Sequence, residues 1–401
     1  MKILILHNRY QFAGGEEAVV QAEKALLEAK GHAVRLIETT NDEIQGVGGK
    51  AKAAVSAIYS HSAKQRVGEE IQWFLPDVLH VHNFFPLLSP SVYDAACEAQ
   101  IPVVQTLHNY RLGCPNALLF REGRVCEECL GKAIPWPGVK YGCYRGSRSQ
   151  SAVTATMLAA HTLRQTWQNR VTRYIVLTQF QKNKMIQAGL PPAKLQVKPN
   201  FVALSVQDTL QRQPFALYVG RLSIEKGVQI LIQAYQCRNL QFPLKIVGTG
   251  PLLEDLQNQV KAANLQDCIE LLGWQEKSTV LHLMQSAQFL VFPSIWYEPF
   301  GLSVIEAFAC SLPVIVSRLG SLAEIVENQV TGLHFEAGDA TDLASKLEWA
   351  VAHPQALREM GRRANQVYAD CYTADANYEQ LLAIYQQAIQ VAKTRSCLPG
   401  A

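Results

Sequence analysis

Two glutamates flank a Pro-Gly loop in the second half of the chain. Glu298 stands at the start of the loop, and Glu306 follows it within an apolar, helix-like segment. A strand-like segment leads into the loop, so both acids fall at the carboxyl edge of a predicted sheet, where ligands bind in open α/β folds. Free amides at a helix start favour phosphate, whereas the two carboxylates favour hydroxyl donors. The pattern predicts a ligand with hydroxyls and phosphate, such as a sugar nucleotide; two solvated surface glutamates are the alternative.

A second strand-to-helix turn carries two cations, Arg221 and Lys226. The apolar segment 215–219 before it has the character of a strand, and 228–236 has the spacing of a helix. An arginine can contact two phosphate oxygens at once, and a lysine supplies a point charge. The turn therefore predicts a diphosphate site, and the alternative is two solvated cations near a turn.

Glycines occupy further turns between predicted strands and helices, namely Gly14, Gly15, Gly220, Gly248 and Gly250. Glycine allows the backbone to approach a ligand closely, but a tight turn alone can also require it. The first two do not complete the dinucleotide-binding fingerprint, so they are weak evidence on their own.

Two histidines end successive predicted strands in the first half of the chain. His82 closes the segment 78–82, and His108 follows the segment 102–107. An isolated histidine is more often structural than catalytic, but two at the same sheet edge are equally consistent with either role.

Four cysteines cluster in an irregular segment, 110–148, that interrupts the alternation of strands and helices: Cys114, Cys126, Cys129 and Cys143. The middle pair has the spacing of a metal knuckle, and four thiolates can hold Zn²⁺ tetrahedrally in a loop without its own core. The segment predicts a structural zinc, with reduced thiols or a redox pair as alternatives.

Size and composition restrict the class of protein. At 401 residues, 48% hydrophobic and 18% charged, the chain is long enough for two globular domains. A net charge of +3 gives no reason to expect nucleic acid as a partner. No apolar run reaches the roughly 20 residues of a membrane helix, and the opening segment is too short for a secretory signal. We expect a cytoplasmic protein.

Strand, loop and helix patterns repeat along both halves, which is typical of α/β proteins with doubly wound parallel sheets. A polar stretch after residue 202 indicates a domain boundary. A helix is expected over 149–173, helical structure over 341–369, and one helix or two over 50–75.

Basic residues are frequent at 145–173: Arg145, Arg148, Arg164, Arg170 and Arg173. A solvated basic face is one interpretation. The other is a surface for an anionic acceptor, such as a lipid-linked phosphate, with peripheral contact at the inner face of a membrane.

The motifs together resemble those of a known family, the GT-B retaining glycosyltransferases of family four, also called glycosyl transferases group 1. The resemblance depends mainly on three motifs of the second half: Gly220-Arg221-Leu222 with Lys226-Gly227, Gly248-Thr249-Gly250-Pro251, and Glu298 to Glu306 continuing to Pro313-Val314-Ile315. The first half matches more loosely, through Gly14-Gly15, Pro76 to His82 and His108. The cysteine segment departs from the family pattern.

The resemblance implies roles for individual residues. Arg221 and Lys226 would neutralise the donor diphosphate, Glu306 would bind the ribose hydroxyls, and Glu298 would hold the donor sugar. The donor-binding set it implies also contains backbone positions and glycines: Gly14, Gly15, Gly220, Gly248, Gly250, Phe300, Gly301 and Leu302. His108 would lie beside the donor sugar, so the implied catalytic residues are His108, Glu298, Arg221 and Lys226.

The same resemblance implies a GT-B fold, with two Rossmann-like domains facing a cleft. Its last helix, about 374–392, would return to the first domain, giving 1–202 plus 374–401 as one domain, with the insert 110–148, and 203–373 as the other. The reaction would transfer a sugar with retention from a nucleotide-diphosphate sugar to a hydroxyl of a glycan, a polysaccharide precursor or a lipid-linked acceptor.

Catalysis is expected without a metal or other cofactor at the reaction centre. The sequence has no Asp-x-Asp motif to carry Mg²⁺, so the leaving-group charge would be met by cations and a helix end. Alternatives are a GT-B sugar-nucleotide epimerase, a pyridoxal-dependent phosphorylase, or an inactive sugar-nucleotide-binding protein whose four cysteines form an interaction module. The nucleotide base, sugar, acceptor and linkage have no readable signal in the sequence.

Overall fold

The structure is a computed structural model that describes residues 1–9, 14–41, 46–204 and 212–396. It divides into two units. The first comprises Met1–Leu119, Glu127–Pro199 and Asp375–Ala401, and the second comprises Phe120–Cys126 and Asn200–Ala374. The boundary predicted after residue 202 thus lies three residues beyond Pro199, and the predicted insert is divided, because residues 120–126 group with the second unit.

The first unit is built on a parallel sheet of six strands. These are β1 (Lys2–Arg9), β2 (Ala33–Thr40), β3 (Val78–Asn83), β4 (Val103–Thr106), β7 (Arg173–Val176) and β8 (Leu195–Val197). Their order in the sheet is β2-β1-β3-β4-β7-β8. The strand order changes direction between β1 and β3, and ligands bind at the carboxyl ends of strands at such a switch point.

Nine helices belong to the described part of the first unit. They are α1 (Gly15–Ala29), α2 (Gly46–Ile58), α3 (His61–Phe74), α4 (Ser91–Glu98), α5 (Trp136–Lys140), α6 (Arg148–Leu163), α7 (Thr166–Asn169), α8 (Gln179–Gln187) and α16 (Ala374–Ser396). The terminal helix α16 packs Leu381, Tyr385 and Ala388 into the same buried core as Ile3 and Ile5 of β1. The last helix therefore belongs to the first unit, although it follows the second in sequence.

The second unit has its own six-stranded parallel sheet. The strands are β9 (Ala216–Val219), β10 (Leu244–Val247), β11 (Ile269–Gly273), β12 (Phe289–Phe292), β13 (Val314–Ser317) and β14 (Gly332–Phe335). The order is β11-β10-β9-β12-β13-β14, which is the Rossmann order with its switch point between β9 and β12.

Helices cover the second sheet: α9 (Val228–Arg238), α10 (Leu253–Ala262), α11 (Lys277–Ser286), α12 (Leu302–Ala309), α13 (Gly320–Ile325), α14 (Ala340–Ala352) and α15 (Pro354–Cys371). Residues 120–126 carry a short antiparallel hairpin, β5 (Phe120–Arg121) with β6 (Arg124–Val125). Both sheets are parallel and wound on both faces, as the α/β pattern predicts.

The helix expected over 149–173 is interrupted, and the helical structure expected over 341–369 consists of two helices. The segment 149–173 forms α6 and α7, because Gln165 adopts a left-handed conformation, φ 53°, that ends α6. The segment 341–369 forms α14 and α15, because Pro354 lacks the amide that would continue the first helix and is suited to the first turn of the next. The segment 50–75 lies in two helices, with Ser60 accepting a hydrogen bond from the Ala63 amide at the start of α3. Among the described residues, no helix is both long enough and apolar enough to cross a bilayer.

Candidate functional site

The turn after β9 lies directly against the end of β12. Gly227 has φ 67°, and a Cβ there would stand 2.0 Å from the carbonyl oxygen of Pro293. Only glycine allows this approach. The approach places Lys226, the last residue of a short 3₁₀ turn (Ile224–Lys226), beside the loop from β12 to α12.

Glu298 is the anchored acid of that loop. Its side chain is 5% exposed, and its Oε1 accepts three hydrogen bonds, from Lys226 Nζ at 2.5 Å, Ser294 Oγ at 2.8 Å and Trp296 Nε1 at 2.9 Å. Among the described residues no such bond reaches Oε2. One carboxylate oxygen is therefore fixed by the protein, and the other keeps its capacity to accept a hydrogen bond.

Glu306 occupies a different environment, one turn inside α12. It is partly buried, and burial raises the pKa of its carboxyl, an effect that Lys277 opposes. The helix begins at Leu302 after Gly301, whose φ of 93° suits glycine. Phe300 is buried and packs edge-on against Tyr372, with ring centroids 5.9 Å apart. The first turn of α12 thus presents its amides from a rigid support.

The predicted donor-site glycines of the second unit serve packing between loops. A Cβ on Gly248 would lie 1.9 Å from the carbonyl oxygen of Gly220, and one on Gly250 would lie 2.3 Å from that of Leu222. The turns after β9 and β10 are therefore in backbone contact. Arg221 lies in the first of these turns and is exposed.

The predicted glycine turn of the first unit forms the N-terminal cap of α1. Gly14 precedes α1, and its amide donates to Glu17 Oε2 at 2.7 Å. Gly15 is the first residue of the helix. The Gly14 amide is therefore engaged by its own helix, while Gly15 follows the switch-point strand β1.

His82 and His108, predicted to share a sheet edge, are in contact. Nδ1 of His82 lies 2.9 Å from Nε2 of His108. Nε2 of His82 lies 3.2 Å from Oε1 of Glu23, a buried acid on α1. Glu23 Oε2 lies 3.2 Å from the ammonium of Lys198, which is also 3.1 Å from Oδ1 of Asn377. The two histidines thus end a series of buried polar groups that extends across the unit.

The ionisation of this series follows from its partners. Burial acts to raise the pKa of Glu23, but Lys198 and His80 outweigh it and hold that pKa well below its ordinary value. Burial, with a smaller contribution from His80, lowers the pKa of His82 to about 4. Burial and His82 also lower the pKa of His108 well below its ordinary value. At neutral pH the glutamate is therefore charged and the two histidines are neutral.

Glu23, His80 and His82 are the one group among the described residues with three metal-type ligand atoms within 4.8 Å of one another. A cation would have to displace existing contacts. Nδ1 of His80 lies 2.7 Å from the Tyr385 hydroxyl, its Nε2 lies 2.8 Å from Thr106 Oγ1, and Glu23 is paired with Lys198. The group is better described as an ion pair of Glu23 and Lys198 with His80 and His82 packed against the carboxylate.

The four clustered cysteines do not form such a group: no three of their Sγ atoms lie within 4.8 Å of one another. Cys114 donates to Asn116 Oδ1 at 2.9 Å, and Cys129 Sγ lies 3.8 Å from the carbonyl oxygen of Pro135. A structural zinc at Cys114, Cys126, Cys129 and Cys143 would require these loops to rearrange, and it stays a prediction.

Several of these side chains were missed by the sequence reasoning. Ser294 and Trp296 lie just before the loop that begins at Glu298, and nothing in their spacing marks them as hydrogen-bond donors to Glu298. Glu23 had a signal, because it shares the buried face of α1 with Val19, Val20 and Leu27. An acid on an apolar helix face requires a buried partner.

Comparison with known proteins covers most of the chain. Residues 13–206 match the family described as Glycosyltransferase Family 4, and residues 205–367 match the family described as Glycosyl transferases group 1. Glycogen synthase of Mycobacterium tuberculosis is 32% identical over 336 residues, which are 82% of this chain and 72% of the relative. An uncharacterized glycosyltransferase of Methanocaldococcus jannaschii is 33% identical over 266 residues, 64% of this chain and 61% of the relative.

Other curated relatives are matched over a smaller part of their length. A second uncharacterized glycosyltransferase of the same archaeon is 36% identical over 152 residues, 38% of this chain and 42% of the relative. The match to D-rhamnosyltransferase WbpZ of Pseudomonas aeruginosa also spans 42% of that relative. The chain therefore covers about two fifths of the length of these two relatives, compared with 61% and 72% of the two relatives above.

Solved structures share the fold over the whole chain. Sucrose-phosphate synthase of Thermosynechococcus elongatus superposes with a TM-score of 0.71 at 18% identity, covering 97% of this chain and 99% of the other. Anabaena HepE in complex with UDP superposes with a TM-score of 0.66 at 19% identity, covering 99% and 100%.

Proposed function

The chain belongs to the glycosyl transferases of group 1 and family 4, and from this membership we propose that it transfers a sugar from a nucleotide-diphosphate sugar to a hydroxyl acceptor, with retention at the anomeric carbon. The observation that carries the proposal is the pair at the switch point of the second unit. Lys226 follows β9, Glu298 follows β12, and the two side chains are in contact.

The second unit supplies a group for each part of a donor. Arg221 and Lys226 are the cations for the diphosphate, together with the amides of the first turn of α12. Glu306 accepts hydrogen bonds from the ribose hydroxyls. Glu298 accepts one from a hydroxyl of the sugar through Oε2, because Oε1 is held by Lys226, Ser294 and Trp296.

The proposed reaction balances without a protein nucleophile. The bond between the anomeric carbon and the diphosphate oxygen breaks, and its electron pair leaves with the diphosphate. The acceptor oxygen bonds to the anomeric carbon on the same face, and its proton passes to the departing phosphate. Arg221 and Lys226 stabilise the charge that develops on the leaving group. Since the two acids serve the sugar and the ribose, neither is assigned as a glycosidase-type acid or nucleophile.

The first unit contains a cavity that suits a polar acceptor. A cavity of about 240 Å³ there is lined by polar side chains that include Thr39, Ser60, Ser62 and Arg66. We assign it to a glycan or lipid-linked acceptor.

Peripheral membrane contact through 145–173 is part of the same proposal, carried by Arg145 and Arg148, which are exposed. Arg164 and Arg170 contribute less, since they lie 3.8 Å and 3.1 Å from the carboxylate of Asp94. Binding to vesicles containing anionic lipid, weakened by Arg145→Glu and Arg148→Glu together but not by Arg164→Glu, would support it. No preference for anionic over neutral vesicles would reject it.

The function is tested by a donor screen. Calorimetry or thermal shift against UDP, GDP, ADP and CDP sugars should identify one binding nucleotide. Product analysis with that donor and a set of glycan and lipid-linked acceptors should then give a product with the anomeric configuration of the donor. An inverted product would reject retention, and failure of all four nucleotides to bind would reject the proposed function.

A further inference from the structure

Four side chains of the first unit form what we call the buried polar array: Lys198, Glu23, His82 and His108. The consecutive contacts are Lys198 Nζ to Glu23 Oε2 at 3.2 Å, Glu23 Oε1 to His82 Nε2 at 3.2 Å, and His82 Nδ1 to His108 Nε2 at 2.9 Å. The first three residues are 3% exposed or less, whereas His108 is partly exposed. The array therefore connects a buried ion pair to a histidine that a ligand can reach.

The charges of the array decide where the protons lie on its two imidazoles. Oε1 of the Glu23 carboxylate lies 3.2 Å from Nε2 of His82, so a negative charge faces that ring nitrogen. A negative charge beside a ring nitrogen favours the tautomer with the proton on that nitrogen. His82, which is neutral, then carries its proton on Nε2 and has a bare lone pair on Nδ1.

The tautomer of His82 fixes that of its neighbour. Because His82 Nδ1 has a lone pair and lies 2.9 Å from His108 Nε2, the proton of that hydrogen bond belongs to His108. A neutral His108 with its proton on Nε2 has a lone pair on Nδ1, and no described residue donates to that atom. Orientation of one histidine by a second group in this way is a known property of protein sites.

We propose that the buried polar array holds His108 in the neutral Nε2–H tautomer and presents its Nδ1 as a hydrogen-bond acceptor to a hydroxyl of the ligand. Glu23, His82 and Lys198 are positioning residues in this scheme. They contact neither donor nor acceptor and act only through His108. The functional consequence depends on the proposed sugar transfer, but the tautomer itself is a property of the protein without ligand.

The surroundings of His108 are consistent with this assignment. Besides His82 and Glu23, the titratable groups that act on it are His7 on β1 and His80 on β3. Burial, with a smaller contribution from His82, lowers the pKa of His7 to about 4. His80 already has the Tyr385 hydroxyl and Thr106 as partners. At neutral pH His7 is therefore neutral and adds no charge that would move the protons of the array.

Two substitutions of His82 separate the two halves of its role. In His82→Asn the amide oxygen takes the place of Nδ1, so it can still accept from His108 but loses Glu23. In His82→Gln the amide takes the place of Nε2, so it can still meet Glu23 but loses His108. His80→Gln is the matched control, since it changes a buried histidine that contacts Glu23 but not His108.

The test is ¹⁵N NMR of the full chain labelled at histidine, with His108 assigned by its loss in His108→Gln. We expect a pyridine-type Nδ1 and a pyrrole-type Nε2 for His108 in the native protein, in His82→Asn and in His80→Gln. His82→Gln should convert at least a third of His108 to the other tautomer and lower kcat at least tenfold with little change in KM.

An Nδ1–H tautomer in the native protein would overturn the proposal even if no variant folded, and so would an unchanged tautomer in folded His82→Gln. Because the spectrum needs no donor, a protein that transfers no sugar still gives a result. Failure of the array and failure of the proposed function are therefore distinguishable.

Discussion

Lys226 Nζ lies 2.5 Å from Glu298 Oε1, and this contact joins the ends of the two strands that flank the switch point of the second sheet. The strands themselves are paired in register at Leu217 and Leu290. The ammonium also lies 5.4 Å from the ring centre of Trp296, which donates to the same carboxylate oxygen. These contacts fix the position of the ammonium that we assign to the donor diphosphate.

Replacing Lys226 tests the diphosphate assignment. We expect Lys226→Ala to weaken binding of the preferred nucleoside diphosphate at least tenfold, about 1.4 kcal/mol, because it removes a cation and leaves Glu298 unpaired. Titration calorimetry measures the change. Lys346→Ala is the control, since that lysine is also paired with an acid, Asp342 at 3.4 Å, on a surface helix. Equal affinities for both variants would contradict the assignment.

Glutamine substitutions separate the roles of the two acids. Glu306→Gln should weaken binding of the nucleotide without a sugar, because the ribose hydroxyls lose a charged acceptor. Glu298→Gln should leave that binding within about threefold and lower kcat at least tenfold, roughly 1.4 kcal/mol, because it changes the acceptor for the sugar. The opposite ranking would exchange the two roles.

Nucleotide binding through Glu306 should depend on pH. Burial raises the pKa of this carboxyl, so it protonates at a higher pH than an ordinary glutamate. Nucleotide affinity should therefore fall as the pH decreases through this raised value, since a protonated carboxyl accepts hydrogen bonds poorly. Glu306→Gln should bind the nucleotide more weakly, and its affinity should not show this fall with decreasing pH. Parallel pH profiles for the native protein and Glu306→Gln would count against the ribose assignment.

Much of the second unit could be predicted because the residues of its candidate site lie in short stretches of sequence. Arg221 and Lys226 share a single turn, Glu298 and Glu306 share a single loop and helix, and glycine and proline mark where strands end. Parallel strands bring their carboxyl ends to one edge, so the order of strands and turns was sufficient. The contact between Lys226 and Glu298 was not predicted, because it depends on which strands are neighbours.

The buried polar array could not be predicted from spacing. Its members come from α1, β3, the turn after β4 and the end of β8, and Lys198 meets Glu23 across 175 residues of sequence. Only the folded sheet brings them together. The break at Gln165 was missed for a different reason: it depends on the left-handed backbone conformation of one residue, which the pattern of side chains does not reveal.

Gly248 tests whether the contact between the β9 and β10 turns is needed. Gly248→Ala should destabilise the second unit by several kcal/mol and weaken nucleotide binding, because a Cβ would meet the Gly220 carbonyl at 1.9 Å. Gly338→Ala is the control, since its φ of 84° is also unfavourable for alanine but nothing lies within 4 Å. Urea unfolding should show a larger decrease in the free energy of unfolding for Gly248→Ala than for Gly338→Ala. Similar decreases would mean that backbone strain alone accounts for the destabilisation.

The zinc predicted from the cysteine spacing is tested by metal analysis. A bound ion would give about one zinc per chain, lost on Cys126→Ser or Cys129→Ser and retained on Cys237→Ser, which changes an exposed cysteine of α9. A purified protein without zinc that still folds would reject the prediction.

The ion pair between Lys198 and Glu23 should contribute strongly to the stability of the first unit. Both side chains are 1% exposed, and removing one partner of a buried pair leaves an unpaired charge, at a cost of roughly 3–5 kcal/mol. We expect that loss in the free energy of unfolding of Lys198→Met. Lys24→Met is the control on the same helix as Glu23, because its pair with Glu28 is partly exposed and should be worth less than about 1 kcal/mol.

The same pair predicts a pH dependence of defined sign. Since the pKa of folded Glu23 is well below its ordinary value of 4.5, its stabilising contribution is complete above that value and is lost as the pH falls toward the folded pKa. Between about pH 6 and pH 3, the free energy of unfolding measured with urea should fall more steeply for the native protein than for Glu23→Gln. Equal slopes, or similar costs for Lys198→Met and Lys24→Met, would mean that the buried pair is not ionised in the folded protein.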